Sequence, residues 1–282
     1  MEKMKKIGKG CLPFLAAIAF MYLFSIIFLM ASGYIWGFFH YEQVLKDSSI
    51  IANLYLDEAW ISSVSIGISI AIYLAFIIIF GLWYKKAFGR DTQKYASKKA
   101  FSGPVIINCI VFGISVQCFF SCALNLILPL FPKTHENYKE LLNSMGMGQG
   151  LMPFVYTALL APVAEELIFR GLTLKYQEKV LPYFTANFMQ AFLFGIYHQN
   201  IVQFVYAFFV GILLGYLCKK YNSLVLVMVV HGIVNASGNL FSYFHIFSRI
   251  DKLEENVVTV FVSMICMVAS FWFLMRSEQK KS

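Results

Sequence analysis

Long uninterrupted apolar runs decide what this chain can become. A helix needs about 20 predominantly apolar residues to cross the hydrocarbon core of a bilayer. Eight stretches fit that reading: 11–38, 61–84, 104–130, 149–170 or beyond, 183–199, 201–218, 222–245 and 257–275. Hydrophobic residues make up 59% of the 282 positions and charged ones only 13%, so a soluble domain could not hide this much apolar surface. The expectation is an all-α polytopic transmembrane bundle of about eight spans, with lipid as its main solvent. The first run follows Lys3, Lys5, Lys6 and Lys9. It is too long for the core of a cleaved signal peptide, so it reads as a retained helix.

The charge distribution says more than the net charge of +8. The N-terminus, the 85–100 loop, the 170–182 segment, Lys219/Lys220 and the tail carry 18 of the 23 Lys and Arg residues. The opposite loops (40–60, 131–148 and 246–256) hold the other five, set against Asp47, Asp57, Glu58, Glu136, Glu140, Asp251, Glu254 and Glu255. By the positive-inside rule both termini are cytoplasmic. A basic balance spent on topology does not point to nucleic acid. No linker divides the chain, so it reads as one integrated membrane domain: three N-terminal spans (1–148), a middle part (149–245), and a last span with its tail (246–282). The stretch 143–150, rich in glycine, looks the most flexible. Gly211 and Gly215 form a GxxxG spacing suited to helix packing. The six cysteines (Cys11, Cys109, Cys118, Cys122, Cys218 and Cys266) lack metal or redox spacing and read as small packing residues.

Ionisable side chains inside the apolar runs are the candidates for chemistry, because each costs on the order of 3 kcal/mol at a helix centre. The fourth run contains Glu165, Glu166 and Arg170. Glu166 and Arg170 stand i,i+4 on one face and can neutralise each other. Glu165 points about 100° away and gets no such partner from its own helix. Taken alone, this is equally a structural ion pair near a helix end. His198 lies in the fifth run, and His231 and Asn235 lie i,i+4 in the seventh. Polar groups offered from three apolar helices each need a partner, which favours a shared site. His40, His135 and His245 fall at helix ends or in loops and read as solvated.

Depth tests whether these residues can meet. Residues 171–180 hold no proline, so the fourth helix can run on toward Lys179. At a rise of 1.5 Å per residue, Glu165 then lies about 21 Å from that end, His198 about 24 Å beyond Pro182, and His231 about 16 Å beyond Lys220. These depths fit one chamber. They require a long, tilted fourth helix and a buried Arg170.

Glu165-Glu166-x-x-x-Arg170, Phe194-x-x-x-His198 and His231-x-x-x-Asn235, in this order on membrane helices, resemble the CPBP family. That family includes the type II CAAX prenyl endopeptidases and the bacterial Abi proteins linked to bacteriocin processing and self-immunity. The resemblance implies an intramembrane endopeptidase, in a bacterial cell membrane on the Abi branch, acting on a membrane-associated peptide or protein. It further implies Glu165 as the general base that deprotonates a water and His198 as the group that positions it. His231 and Asn235 would donate to the oxyanion, while Glu166 and Arg170 brace the helix and tune Glu165. An acid without its own counter-ion is the better proton acceptor, which agrees with this division.

Two histidines and a glutamate (His198, His231 and Glu165) also form a donor set known for zinc. The spacing that places two histidines on one helix face is absent, and metal-free catalysis is the favoured expectation. A non-catalytic membrane scaffold, or an immunity protein that binds a peptide on the same fold, is the alternative. A transporter is disfavoured because the charges sit in the second half alone, without the paired broken helices of inverted repeats.

Overall fold

The computed structural model describes residues 2–92, 98–247 and 253–276. Lys94, Arg249, Asp251, Lys252, Lys280 and Lys281, which entered the charge reading, lie outside the described residues. The regular elements described are helical: α1 (Glu2–Phe39), α2 (Tyr41–Lys46), α3 (Ser49–Leu54), α4 (Glu58–Thr92), α5 (Gly103–Ile127), α6 (Pro132–Ser144), α7 (Leu151–Glu178), α8 (Tyr183–Tyr197), α9 (Ile201–Tyr221), α10 (Leu224–Tyr243) and α11 (Leu253–Arg276). Seven of them, α1, α4, α5, α7, α9, α10 and α11, are long and apolar enough to cross a membrane. The chain is therefore an all-α polytopic membrane bundle. Many large apolar side chains face outward, among them Leu15, Ile26 and Met30 of α1 and Ile78 and Leu82 of α4, as a lipid solvent requires.

One expected span is shorter than its hydropathy suggests. Helix α8 has 15 residues, about 22 Å at 1.5 Å per residue, against a hydrocarbon core of about 30 Å. It stops because Gln199 takes a left-handed φ of 53°, after which the Asn200 side chain accepts from the amides of Val202 and Gln203 and caps α9. The apolar run continues through this break, so hydropathy alone does not reveal it.

Helices α8 and α9 form a close hairpin. A Cβ at Gly211 would stand 3.0 Å from that of Ala191, and one at Gly215 would run into Asn187, so the GxxxG spacing does serve close packing. At the far end of α9 Lys219 pairs with Glu178 at 2.6 Å. The hairpin thus returns to the level where α7 ended, as two full spans would.

The basic helix ends gather on one face of the bundle. Gly10 of α1 lies against Gln177, Lys175 donates to Tyr84 of α4 at 3.2 Å, and Lys179 sits over the Phe88 ring at 4.6 Å. On the opposite face, the turn before α7 packs against the end of α10. Gly146, Gly148 and Gly150 all have positive φ there, and a Cβ on Gly148 would lie 2.8 Å from the Tyr243 amide. That stretch, which reads as flexible in sequence, is a packed turn that requires glycine.

Two apolar clusters enclose the centre. One joins α1, α4, α7 and α8 through Phe14, Phe76, Phe80, Ile168, Phe169 and Phe194. The other joins α5, α9, α10 and α11 through Phe112, Leu214, Leu217, Val230 and Leu274. The polar residues of α7 and α10 lie between them.

Candidate active site

Helix α7 runs unbroken over 28 residues, about 42 Å. The long fourth helix is therefore present, and Arg170 is completely buried. What the sequence did not reveal is its winding: Tyr156–Leu160 and Leu167–Leu174 are π-helical. Such wide turns release backbone groups and recur at functional sites. In the first of them the Ala161 amide donates to the Tyr156 carbonyl. The Thr157 carbonyl loses that donor, and Pro162 has no N–H to replace it. Asn235 of α10 supplies one instead, donating from Nδ2 to the Thr157 oxygen at 2.8 Å. Asn239, one turn on, donates to the Thr157 hydroxyl at 2.8 Å and to the Asn235 carbonyl at 2.9 Å.

Glu166 is the hub of the buried charges. Its Oε1 accepts from Arg170 Nη1 at 2.8 Å and faces His231 Nδ1 at 2.9 Å, and neither Glu166 nor Arg170 is exposed at all. The same-helix ion pair foreseen from the i,i+4 spacing is present, and it has a third member. Arg170 Nη2 also donates to the Gly211 carbonyl at 3.2 Å, and its guanidinium lies 4.5 Å from the centre of the Phe194 ring. With a carboxylate on Nδ1, the His231 ring is fixed in orientation and turns Nε2 toward Glu165, 3.7 Å from Oε2.

Glu165 is not the open acid that its sequence position suggests. It is 4% exposed, and its partner comes from outside its own helix: the Tyr73 hydroxyl of α4 donates to Oε1 at 3.1 Å. Tyr73 is the functional neighbour that motif reading missed. The available signal was a lone tyrosine in the apolar run Ile-Ala-Ile-Tyr-Leu-Ala-Phe, since a buried phenol seeks a partner. His198 ends α8 with Nδ1 on the Phe194 carbonyl at 2.9 Å, which leaves Nε2 free to act elsewhere.

Glu165, His198, His231 and Asn235 all line one cavity of about 710 Å³. That brings together the four residues named from three separate helices. His135 and His245 lie on its wall as well. Burial and then the neighbouring Lys139 hold the His135 imidazole below the usual histidine range. The zinc set is a different matter. Among the described residues no group of three or more His, Cys, Asp or Glu side chains converges in a geometry that could hold a metal ion. His231 Nδ1 and His198 Nδ1 are turned to Glu166 and to the Phe194 carbonyl, which leaves each ring its Nε2.

Carboxylates and histidines drawn from separate spans into one enclosed cavity define a class, that of polytopic membrane proteins with a buried ionisable centre. Residues 148–237 match the family described as Rce1-like, the type II CAAX prenyl endopeptidases. The match takes in all three motifs and about a third of the chain. Over that segment the chain is similar to the CAAX proteases, a family of peptide-bond hydrolases. No curated protein and no solved structure matches the chain.

Proposed function

We propose that this protein is an intramembrane endopeptidase that hydrolyses a peptide bond of a membrane-associated peptide or protein. The observation that carries the reading is the division of labour between adjacent carboxylates. Glu166 is committed to Arg170 and His231, whereas Glu165 faces the cavity, with the Tyr73 hydroxyl on Oε1 and His231 Nε2 3.7 Å from Oε2.

A water held between Glu165 and His198 Nε2 loses a proton to Glu165 as its oxygen adds to the scissile carbonyl. The oxyanion so formed takes hydrogen bonds from the second N–H of Asn235, the first being engaged on Thr157, and, with His231 carrying a proton on each ring nitrogen, from its Nε2–H. Glu165 then returns the proton to the leaving nitrogen as the C–N bond breaks, giving a free carboxyl and a free amine. No step runs through a metal. Donors aimed at a developing oxyanion in a water-poor site are the largest electrostatic contribution to such a reaction.

The gathering of lysines at one face supports cytoplasmic termini, and the Lys-, Ile- and Phe-rich chain supports a bacterial membrane and the Abi branch, with bacteriocin processing or self-immunity as its setting. The test is cleavage of membrane-associated peptides by purified protein. Glu165→Gln and His198→Ala each lower turnover by about 10²–10⁴-fold, the usual contribution of a general base, while both stay folded by gel filtration. Unchanged turnover in either variant refutes the assignment. Retention of the cellular phenotype by Glu165→Gln moves the reading to a peptide-binding scaffold.

A further inference from the structure

The cavity has a direction. None of the residues that mark the basic face (Tyr84, Lys175, Glu178 and Lys219) lines it. Its deep end holds Glu165 and His231, and from there it extends to α6 and to His245 and Phe247 beyond α10. These elements stand with the 131–148 and 244–247 segments, at the end of the bundle away from the gathered lysines. His135, Tyr138, Lys139, Leu142 and Asn143 of α6 line the cavity. Their spacing of i, i+3, i+4, i+7 and i+8 is a single helical stripe, so α6 lies across the opening with one face turned inward.

The sequence of α6 is polar and no residue in it is fully buried, and Tyr138 of the inward stripe hydrogen-bonds Tyr206 of α9. Pro129 and Pro132 frame the short turn before it, and the packed turn of Gly146 and Gly148 follows it.

We propose that the substrate reaches Glu165 from the face opposite the basic helix ends, beneath α6, and that the inward stripe of α6 forms the wall against which it lies. The occupant is an extended peptide segment of an exported or membrane-anchored chain. A cavity of about 710 Å³ lies in the ~300–1,000 Å³ range of clefts that enclose small ligands, which suits a few residues of unfolded chain and excludes a folded domain. By the positive-inside rule the opening is extracytoplasmic. The inference rests on the peptidase reading for its substrate but not for its direction.

Lys139→Cys and Lys86→Cys separate these points, Lys86 being exposed near the basic end of α4. Cells expressing each variant are treated with a bulky membrane-impermeant maleimide, and the labelling of the unsubstituted protein, with its six native cysteines, is subtracted. Lys139→Cys is labelled in intact cells and Lys86→Cys only after permeabilisation. The adduct at 139 lowers peptide turnover at least tenfold, and the adduct at 86 leaves it unchanged. Labelling of Lys139→Cys only after permeabilisation overturns the direction of access, and full turnover by its adduct overturns the route beneath α6. If cleavage by the unlabelled variant does not depend on Glu165, the peptidase reading fails instead, and the labelling pattern still decides the accessible face.

Discussion

Replacing Arg170 by methionine isolates the buried ion pair from everything around it. The side chain keeps its length and apolar stem but loses the 2.8 Å bond to Glu166, the 3.2 Å bond to the Gly211 carbonyl and the contact over Phe194. Breaking a fully buried pair by removing one member costs about 3–5 kcal/mol, because the other charge stays behind. Two features of the site pull the figure toward the lower bound. The Gly211 carbonyl keeps a donor in Gln190 Nε2 at 3.1 Å, and Glu166 keeps the His231 Nδ1 contact at 2.9 Å. The expected loss is about 3 kcal/mol, more than a hundredfold in the folding equilibrium at about 1.4 kcal/mol per decade.

Glu166→Gln strands Arg170 and costs a similar amount. The double variant carries no stranded charge and loses no more than either single one, which corresponds to a coupling energy of at least about 2 kcal/mol. Reversible unfolding in mixed detergent micelles, followed by circular dichroism, reads all four proteins of the cycle. A loss below about 1 kcal/mol for Arg170→Met, or strict additivity in the double variant, would show that the pair does not brace α7.

Tyr73→Phe removes the hydroxyl that donates to Glu165. A hydrogen bond to a charged group is worth about 1.5–3 kcal/mol, so the unfolding midpoint falls with it, and turnover in a peptide-cleavage assay falls at least tenfold as Glu165 loses its orientation. Asn235→Ala leaves the Thr157 carbonyl without its donor and destabilises the fold by about 1–3 kcal/mol. Pro162→Ala in the same chain restores an N–H within reach and recovers more than half of that loss in the same unfolding titration. Gly148→Ala meets both a φ of +74° and the Tyr243 amide. It lowers stability by more than about 1 kcal/mol, whereas Gly8→Ala, with open space at its Cβ, stays within about 0.5 kcal/mol of the parent protein.

Contacts within one helix were legible in the sequence. The i,i+4 spacing gave the Glu166–Arg170 pair, and the absence of proline after Arg170 gave the long α7 that buries it. Depth along the helix axes placed Glu165, His198 and His231 in one chamber, because rise per residue is fixed by backbone geometry. Rotation about those axes was not legible. His231 meets Glu166 through Nδ1, and Asn235 turns its amide to a backbone carbonyl, because α10 is rolled against a π-helical stretch whose extra residue per turn leaves no mark in side-chain periodicity. The partner of Glu165 comes from a helix 92 positions away, and only the isolated phenol of Tyr73 hinted at it. The end of α8 was hidden for a different reason. Its break lies in the backbone of Gln199 and Asn200, inside a run whose average hydropathy hardly changes.

The placement of the Thr157 carbonyl has a consequence for how the protein is made. Spans enter the bilayer in chain order, and α7 arrives with the Glu166–Arg170 charge already balanced within its own helix, while Tyr73 is in place upstream to receive Glu165. The Thr157 oxygen has no such advance provision. Its donor is 78 positions downstream in α10, so this hydrogen bond forms only after α8 and α9 have passed. Docking of α10 therefore closes this polar gap and brings His231 and Asn235 to the cavity in the same event.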